Sequence, residues 1–166
     1  MLLNWLAAAA LLSDPVSGSK HLLDVRRYAQ DGWTLTISED TFSRVTTCRL
    51  VGRHMRFQSG AIGFDTRTAE GIDDDWYAID GASTRPWRDV YPDLLAAGVR
   101  LETGGIDNPT DGIVWLPTEA VSSAHSVRVE ASTSSGRRLR VFRLGGFAFM
   151  HAAALRLGCA PNGFVA

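Results

Sequence analysis

From residue 32 onward the chain alternates. In Trp33-Thr34-Leu35-Thr36-Ile37 apolar side chains exchange with threonines at a period of two, the pattern of a strand with one buried face. Residues 45–51, 55–57, 61–64 and 76–79 read as further short strands, with Ser59-Gly60 as a hinge and Asp80-Gly81 as a turn signal. Residues 113–116, 126–131 and 138–144 add three more, the last two joined through a hairpin loop at 133–136. Eight or so short strands at this spacing predict a mainly β (α+β) fold, an antiparallel β-sandwich or curled sheet.

Other periods interrupt the alternation. Residues 21–30 fit a helical spacing through Leu22, Leu23, Val25 and Arg26, or an extended one, equally well. Pro92 suits the first position of a short helix running to Ala97 and ended by Gly98, with Leu94 and Leu95 toward the core. Residues 103–112 read as loop, and Thr118 as the cap of a helical turn over 118–124. In residues 146–157, Phe147, Met150, Ala154 and Leu155 form one stripe, while Phe149, Ala152 and Ala153 lie elsewhere. A helix apolar nearly all round predicts a buried C-terminal helix. Gly158 follows as its C-cap, and then Cys159.

Residues 1–12 are apolar apart from Asn4. The run is shorter than the roughly 20 residues that span a bilayer. It matches the apolar region of a secretory signal, with Val16 and Gly18 suited to the cleavage positions, although no Lys or Arg precedes it. The expected organisation is residues 1–18 as signal peptide or N-terminal apolar helix, and 19–166 as a single globular domain with one core. Cys48 and Cys159 are too few for a structural zinc site and too far apart for a redox C-x-x-C pair. In an oxidising compartment one disulfide is the simplest reading, pinning the last helix to the Cys48 strand. Two buried free thiols are the alternative. Together these features place the protein in the periplasm or outside the cell.

Composition narrows the function classes. Apolar residues make up 45% and charged residues 21% of the chain, as in ordinary globular domains. Seventeen basic residues oppose eighteen acidic ones, for a net charge of −1, so bulk binding to nucleic acid is not expected. The chain carries no Gly-x-Ser-x-Gly and no nucleotide fingerprint. His21, His54, His125 and His151 show no ligand spacing, Asp73-Asp74-Asp75 and residues 107–112 read as solvated turns, and Glu39, Glu70, Glu102, Glu119 and Glu130 are isolated. Neither a metal nor a cofactor nor a catalytic residue is assigned.

Arginines are the remaining chemistry. Arg49, Arg53, His54 and Arg56 cluster in one stretch, and Arg137, Arg138, Arg140 and Arg143 crowd the last strand. Guanidinium forks bind carboxylate, sulfate or phosphate in bidentate fashion. Were the two strands neighbours, their outer faces would present Arg49, Arg53, Arg56, Arg138 and Arg140 as an anion-binding patch for lipopolysaccharide, polysaccharide or an acidic protein. The same charges would also protect an edge strand from aggregation. Trp76, Tyr77, Trp87 and Tyr91 serve a sugar platform or, for most of them, the core.

The order of features has a counterpart. A cysteine strand (Thr47-Cys48-Arg49-Leu50), a strand entering the turn Ala78-Ile79-Asp80-Gly81, a strand over 113–117, and Val141-Phe142-Arg143-Leu144-Gly145-Gly146-Phe147 leading into an alanine-rich helix that closes on Gly158-Cys159 follow one another. Over residues 33–160 this resembles the small exported domains of the invasion-associated locus B type and related proteobacterial proteins. The resemblance implies a sandwich-like exported protein without known catalytic residues, linked to the cell envelope or host contact. The single cysteine in the first half departs from a multi-disulfide pattern. The expected function is an exported, non-catalytic binding or structural protein of the bacterial envelope, its partner a protein or envelope glycan, with no transmembrane segment in the mature chain. A carbohydrate- or anionic-ligand module and an envelope hydrolase are the alternatives.

Overall fold

The computed structural model describes residues 23–58, 60–68, 74–96, 112–161 and 163–165. The expected leader at 1–18 and nearly all of the expected loop at 103–112 lie outside the described residues. Six strands, β1 (Leu23–Gln30), β2 (Trp33–Asp40), β3 (Thr46–Gly52), β4 (Met55–Gln58), β5 (Ala61–Asp65) and β8 (Ile113–Pro117), form one antiparallel sheet in the order β1-β2-β3-β4-β5-β8. Four more, β6 (Asp74–Ile79), β7 (Arg85–Pro86), β9 (Ser126–Thr133) and β10 (Gly136–Arg143), form a second in the order β10-β9-β6-β7. Helices α1 (Tyr91–Ala96), α2 (Thr118–Val121) and α3 (Phe147–Arg156) complete the described elements, with a 3-10 turn at Trp87–Val90 leading into α1. The mainly β fold with a C-terminal helix is the one the alternation predicts.

The ambiguity over residues 21–30 resolves to a strand over the described part, Leu23–Gln30, for a local reason. Asp31 and Gly32 have φ of 49° and 81°, so two residues close the turn and Gln30 pairs with Trp33. Such a turn carries the right-handed twist of paired strands, and β1 runs beside β2 along its whole length.

One face of the larger sheet is buried from β2 to β8, through Trp33, Leu35, Ile37, Leu50, Phe57, Ile62, Phe64, Val114 and Leu116. The smaller sheet adds Tyr77, Val127, Val129, Ala131 and Phe142 to the same core. The rings of Phe64 and Phe142 meet edge to face at 5.1 Å between the sheets. Helix α3 lays Phe147 on Trp33 at 5.0 Å and on Phe57 at 5.7 Å. Its buried residues Phe147, Met150 and Ala154 recur at i, i+3 and i+7. At roughly 1.5–3 kcal/mol per large buried side chain, this stripe holds a helix that would be marginal alone.

Three expectations about the helices need correction. Leu95 is 54% exposed while Leu94 is fully buried, because neighbours on a helix point about 100° apart and α1 buries one side only. Helix α3 is likewise buried on one face, with Phe149 53% and Leu155 40% exposed on the side away from the sheet. Thr118 is the first residue within α2 and makes no capping bond with its side chain; the cap position belongs to Pro117.

The end of α3 delivers the disulfide. The N–H groups of Gly158 and Cys159 donate to the carbonyls of Leu155 (3.2 Å) and Ala154 (3.0 Å), a paired bond that closes a helix C-terminus. Cys159 then bonds Cys48 across 111 residues, with Cα atoms 5.9 Å apart. β4 pairs with β3 only at Leu50, Val51 and Gly52. Beyond β4, the N–H of Cys48 donates to the carbonyl of Gly163 (3.1 Å) and the N–H of Val165 donates to that of Cys48 (2.9 Å). The C-terminal segment thereby extends the sheet past a short strand. Among the described residues, no helix is long and apolar enough to cross a membrane.

Candidate functional site

The two-residue turns β1–β2 and β3–β4 and the second half of β10 surround a cleft of about 470 Å³. Arg53 and His54 come from the β3–β4 turn, Arg140 and Arg143 from β10, and Arg67 from the segment leaving β5. Trp33, Met55 and Phe142 supply apolar lining, and Asp31 is the one acid among the described lining residues.

Local bonds set these side chains. Asp65 accepts from the N–H of Arg67 through Oδ1 at 2.7 Å, a short side-chain turn of the kind Asp favours, and turns the chain at Arg67 (φ 58°). The Arg67 guanidinium lies against the His54 imidazole, with Nε donating to Nδ1 at 3.4 Å. Asp65 Oδ2 stands 3.9 Å from the same nitrogen. Desolvation by burial, and then the positive charges of Arg67 and Arg140, lower the pKa of His54 below its ordinary 6.5, against an opposing pull from Asp65. The imidazole is therefore neutral at pH 7 and can accept from Arg67. Arg140 donates to the main-chain carbonyl of Asp65 at 2.8 Å and Arg138 to that of Arg67 at 3.4 Å. Arg53 and Arg143 are exposed and have no acceptor among the described residues. They are the forks left open to a ligand.

The five sequence-assigned arginines separate. β3 and β10 belong to different sheets, so no common outer face joins them. Arg53 and Arg140 line the cleft; Arg49, Arg56 and Arg138 are not among its described lining residues. Arg49 pairs with Thr36 and Arg56 with Gly63, on the face of the larger sheet away from Phe57, where the Arg56 guanidinium covers the Trp115 ring at 5.3 Å. Arg67 escaped the sequence reading altogether, because its place beside His54 depends on β5 returning along β4, which no local pattern encodes. Arg143 was visible only as one of a crowd.

The remaining candidates serve the fold. Tyr77 and Trp87 are core residues, with the Trp87 indole donating to the carbonyl of Trp115 at 2.6 Å. Trp76 lies under the Arg137 guanidinium at 5.5 Å. Glu39 pairs with Arg44 and Glu130 with Arg137. Asp80 accepts from the N–H groups of Ser126 (2.7 Å) and His125 (2.9 Å), and the Ser126 bond chiefly holds its carboxyl below the usual range. Among the described residues no three of His, Cys, Asp and Glu gather as metal ligands. Glu70 and Glu102 lie outside the described residues. No protein-family model, curated protein or solved structure matches this chain.

Proposed function

We propose that this chain is an exported, non-catalytic binding protein of the bacterial envelope that takes the anionic group of an envelope glycan between Arg53 and Arg143. The convergence of four arginines on one cleft, against a single carboxylate among the described lining residues, carries the reading. Guanidiniums held together raise the local positive potential, and an anion relieves it through bidentate bonds. The disulfide supports an oxidising compartment, and the resemblance to the invasion-associated locus B type supports the envelope.

Titration calorimetry with trigalacturonate and galactose 1-phosphate, against uncharged galactotriose, tests the proposal. The two anions bind, the neutral sugar does not, and the anion affinity falls with added salt. The double variant Arg53→Ala/Arg143→Ala loses about tenfold or more, as expected when charge-assisted bonds worth roughly 1.5–3 kcal/mol are removed. Absence of anion binding by the wild-type protein, or undiminished binding by the double variant, overturns it.

A further inference from the structure

A second cavity, of about 510 Å³, lies against α2 and α3 and shares no described lining residue with the arginine cleft. Its walls are largely apolar, through Phe57, Ala96, Pro117 and Leu155 among others. Four polar side chains also line it: Asp93, Thr118, Glu119 and His151. No arginine or lysine does so among the described residues.

Polar groups in folded proteins find partners, and buried ones that do not are few and require a reason. Several acids elsewhere in the fold are paired: Glu39 with Arg44, Glu130 with Arg137, Asp74 with Arg88, and Asp80 with main-chain donors. The cavity gathers the opposite kind. Thr118 Oγ1 is buried without a hydrogen-bond partner. The His151 ring touches those of Phe57 (4.8 Å), Phe147 (5.5 Å) and Phe164 (5.9 Å), and its nitrogens have no partner among the described residues. Asp93 and Glu119 have neither an ion pair nor a hydrogen-bond donor among the described residues. A buried hydroxyl oxygen without a partner, a half-buried imidazole and two exposed carboxylates around one apolar space are complementary to a molecule with a hydrocarbon body and a charged donor.

We propose that this cavity binds a small organic amine, with its hydrocarbon part against Phe57, Pro117 and Leu155 and its ammonium held by Asp93 and Glu119. Thr118 Oγ1 or a His151 nitrogen accepts from the remaining N–H. The sign of the lining selects against carboxylates and phosphates, which would meet two acids and no cation among the described residues. A sugar would leave two carboxylates without a counter-charge and wet the apolar wall. The volume falls within the roughly 300–1,000 Å³ range of small-molecule sites, and a single-ring amine fits it.

The test is an NMR titration of the full chain, read at the His151 ring and the Leu155 methyl groups. The probe is 2-phenylethylamine, with 3-phenylpropionate and 2-phenylethanol as charge-altered counterparts. The amine gives saturable shifts at both signals, the alcohol binds more weakly, and the carboxylate gives none. Asp93→Asn and Glu119→Gln each weaken the amine about two- to fivefold, the range of exposed ion pairs, and together roughly tenfold. Both residues are exposed, so these variants keep the fold, and their unchanged spectra away from the cavity verify it. No saturable shift with the amine, equal shifts with the carboxylate, or full amine affinity in the double variant overturns the proposal.

Discussion

The guanidinium of Arg140, on the edge strand of the smaller sheet, donates to the main-chain carbonyl of Asp65 at the end of β5 in the larger one, at 2.8 Å. Arg138, two residues earlier on the same strand face, reaches the carbonyl of Arg67 at 3.4 Å. Leu139 and Val141 point the other way and are 59% and 64% exposed. The two arginines that sequence assigns to an outer face thus turn toward the opposite sheet and latch it. A net contribution of about 1 kcal/mol is ordinary for a half-buried bond of this kind. We expect Arg140→Ala to lower stability by about 1 kcal/mol, and Arg138→Ala by less than about 0.5 kcal/mol, since its bond is long and exposed. Urea unfolding midpoints measure both, and a negligible loss in Arg140→Ala would show that the latch contributes nothing.

Alternation carried most of the fold because its cause is local. Trp33, Leu35 and Ile37 must share a face whatever they face, and the core is built on that face. The cysteine spacing and the helix end at Gly158 were equally legible, since two cysteines permit a single bridge. What stayed hidden depends on the pairing of distant strands. Asp93, from α1, and Glu119, from α2, line one cavity only because β8 returns beside β5 and carries α2 with it. Arg67 meets His54 by the same kind of return, since β5 runs back beside β4. Leu95 and Leu155 misled because apolarity does not state which side of a short helix has a neighbour.

The disulfide closes 111 residues of chain. On the chain-entropy account a loop of that length stabilises by about 4–5 kcal/mol, commonly reduced in practice to about 2–4 kcal/mol. Cys48→Ser and Cys159→Ser should each lower the melting temperature, and the double variant should be no worse than the poorer single one. A clearly additive loss would mean that the two sulfurs contribute through separate packing.

Gly146, just before α3, has φ 83°, and a Cβ added there would stand 2.6 Å from the Cβ of Asp31 in the β1–β2 turn. Any larger residue must therefore strain its own backbone and push the turn that carries Asp31 and Gly32 into the arginine cleft. Gly136, at φ 125°, has nothing within 4 Å of such a Cβ, so it isolates the backbone cost. We expect Gly146→Ala to cost about 2 kcal/mol or more and Gly136→Ala about 1 kcal/mol. Equal losses in thermal unfolding would show that the turn yields without resistance.

His151 links stability to pH. Burial lowers its pKa below 6.5, while the unfolded chain titrates near 6.5. Between the lowered folded value and 6.5 the unfolded chain binds more protons, so stability rises with pH in that window. The loss begins as pH falls through 6.5 and is complete below the folded midpoint. His151→Phe keeps a ring beside Phe57, Phe147 and Phe164 and removes the titration. The variant should therefore lose less stability than the wild-type protein between pH 7 and pH 5, with His54 common to both. Chemical denaturation at the two pH values gives the difference, and a ring-proton titration of His151 should show a midpoint below 6.5. Identical losses in the two proteins, with a midpoint at or above 6.5, would mean that water reaches the imidazole and that burial imposes no penalty on its charge.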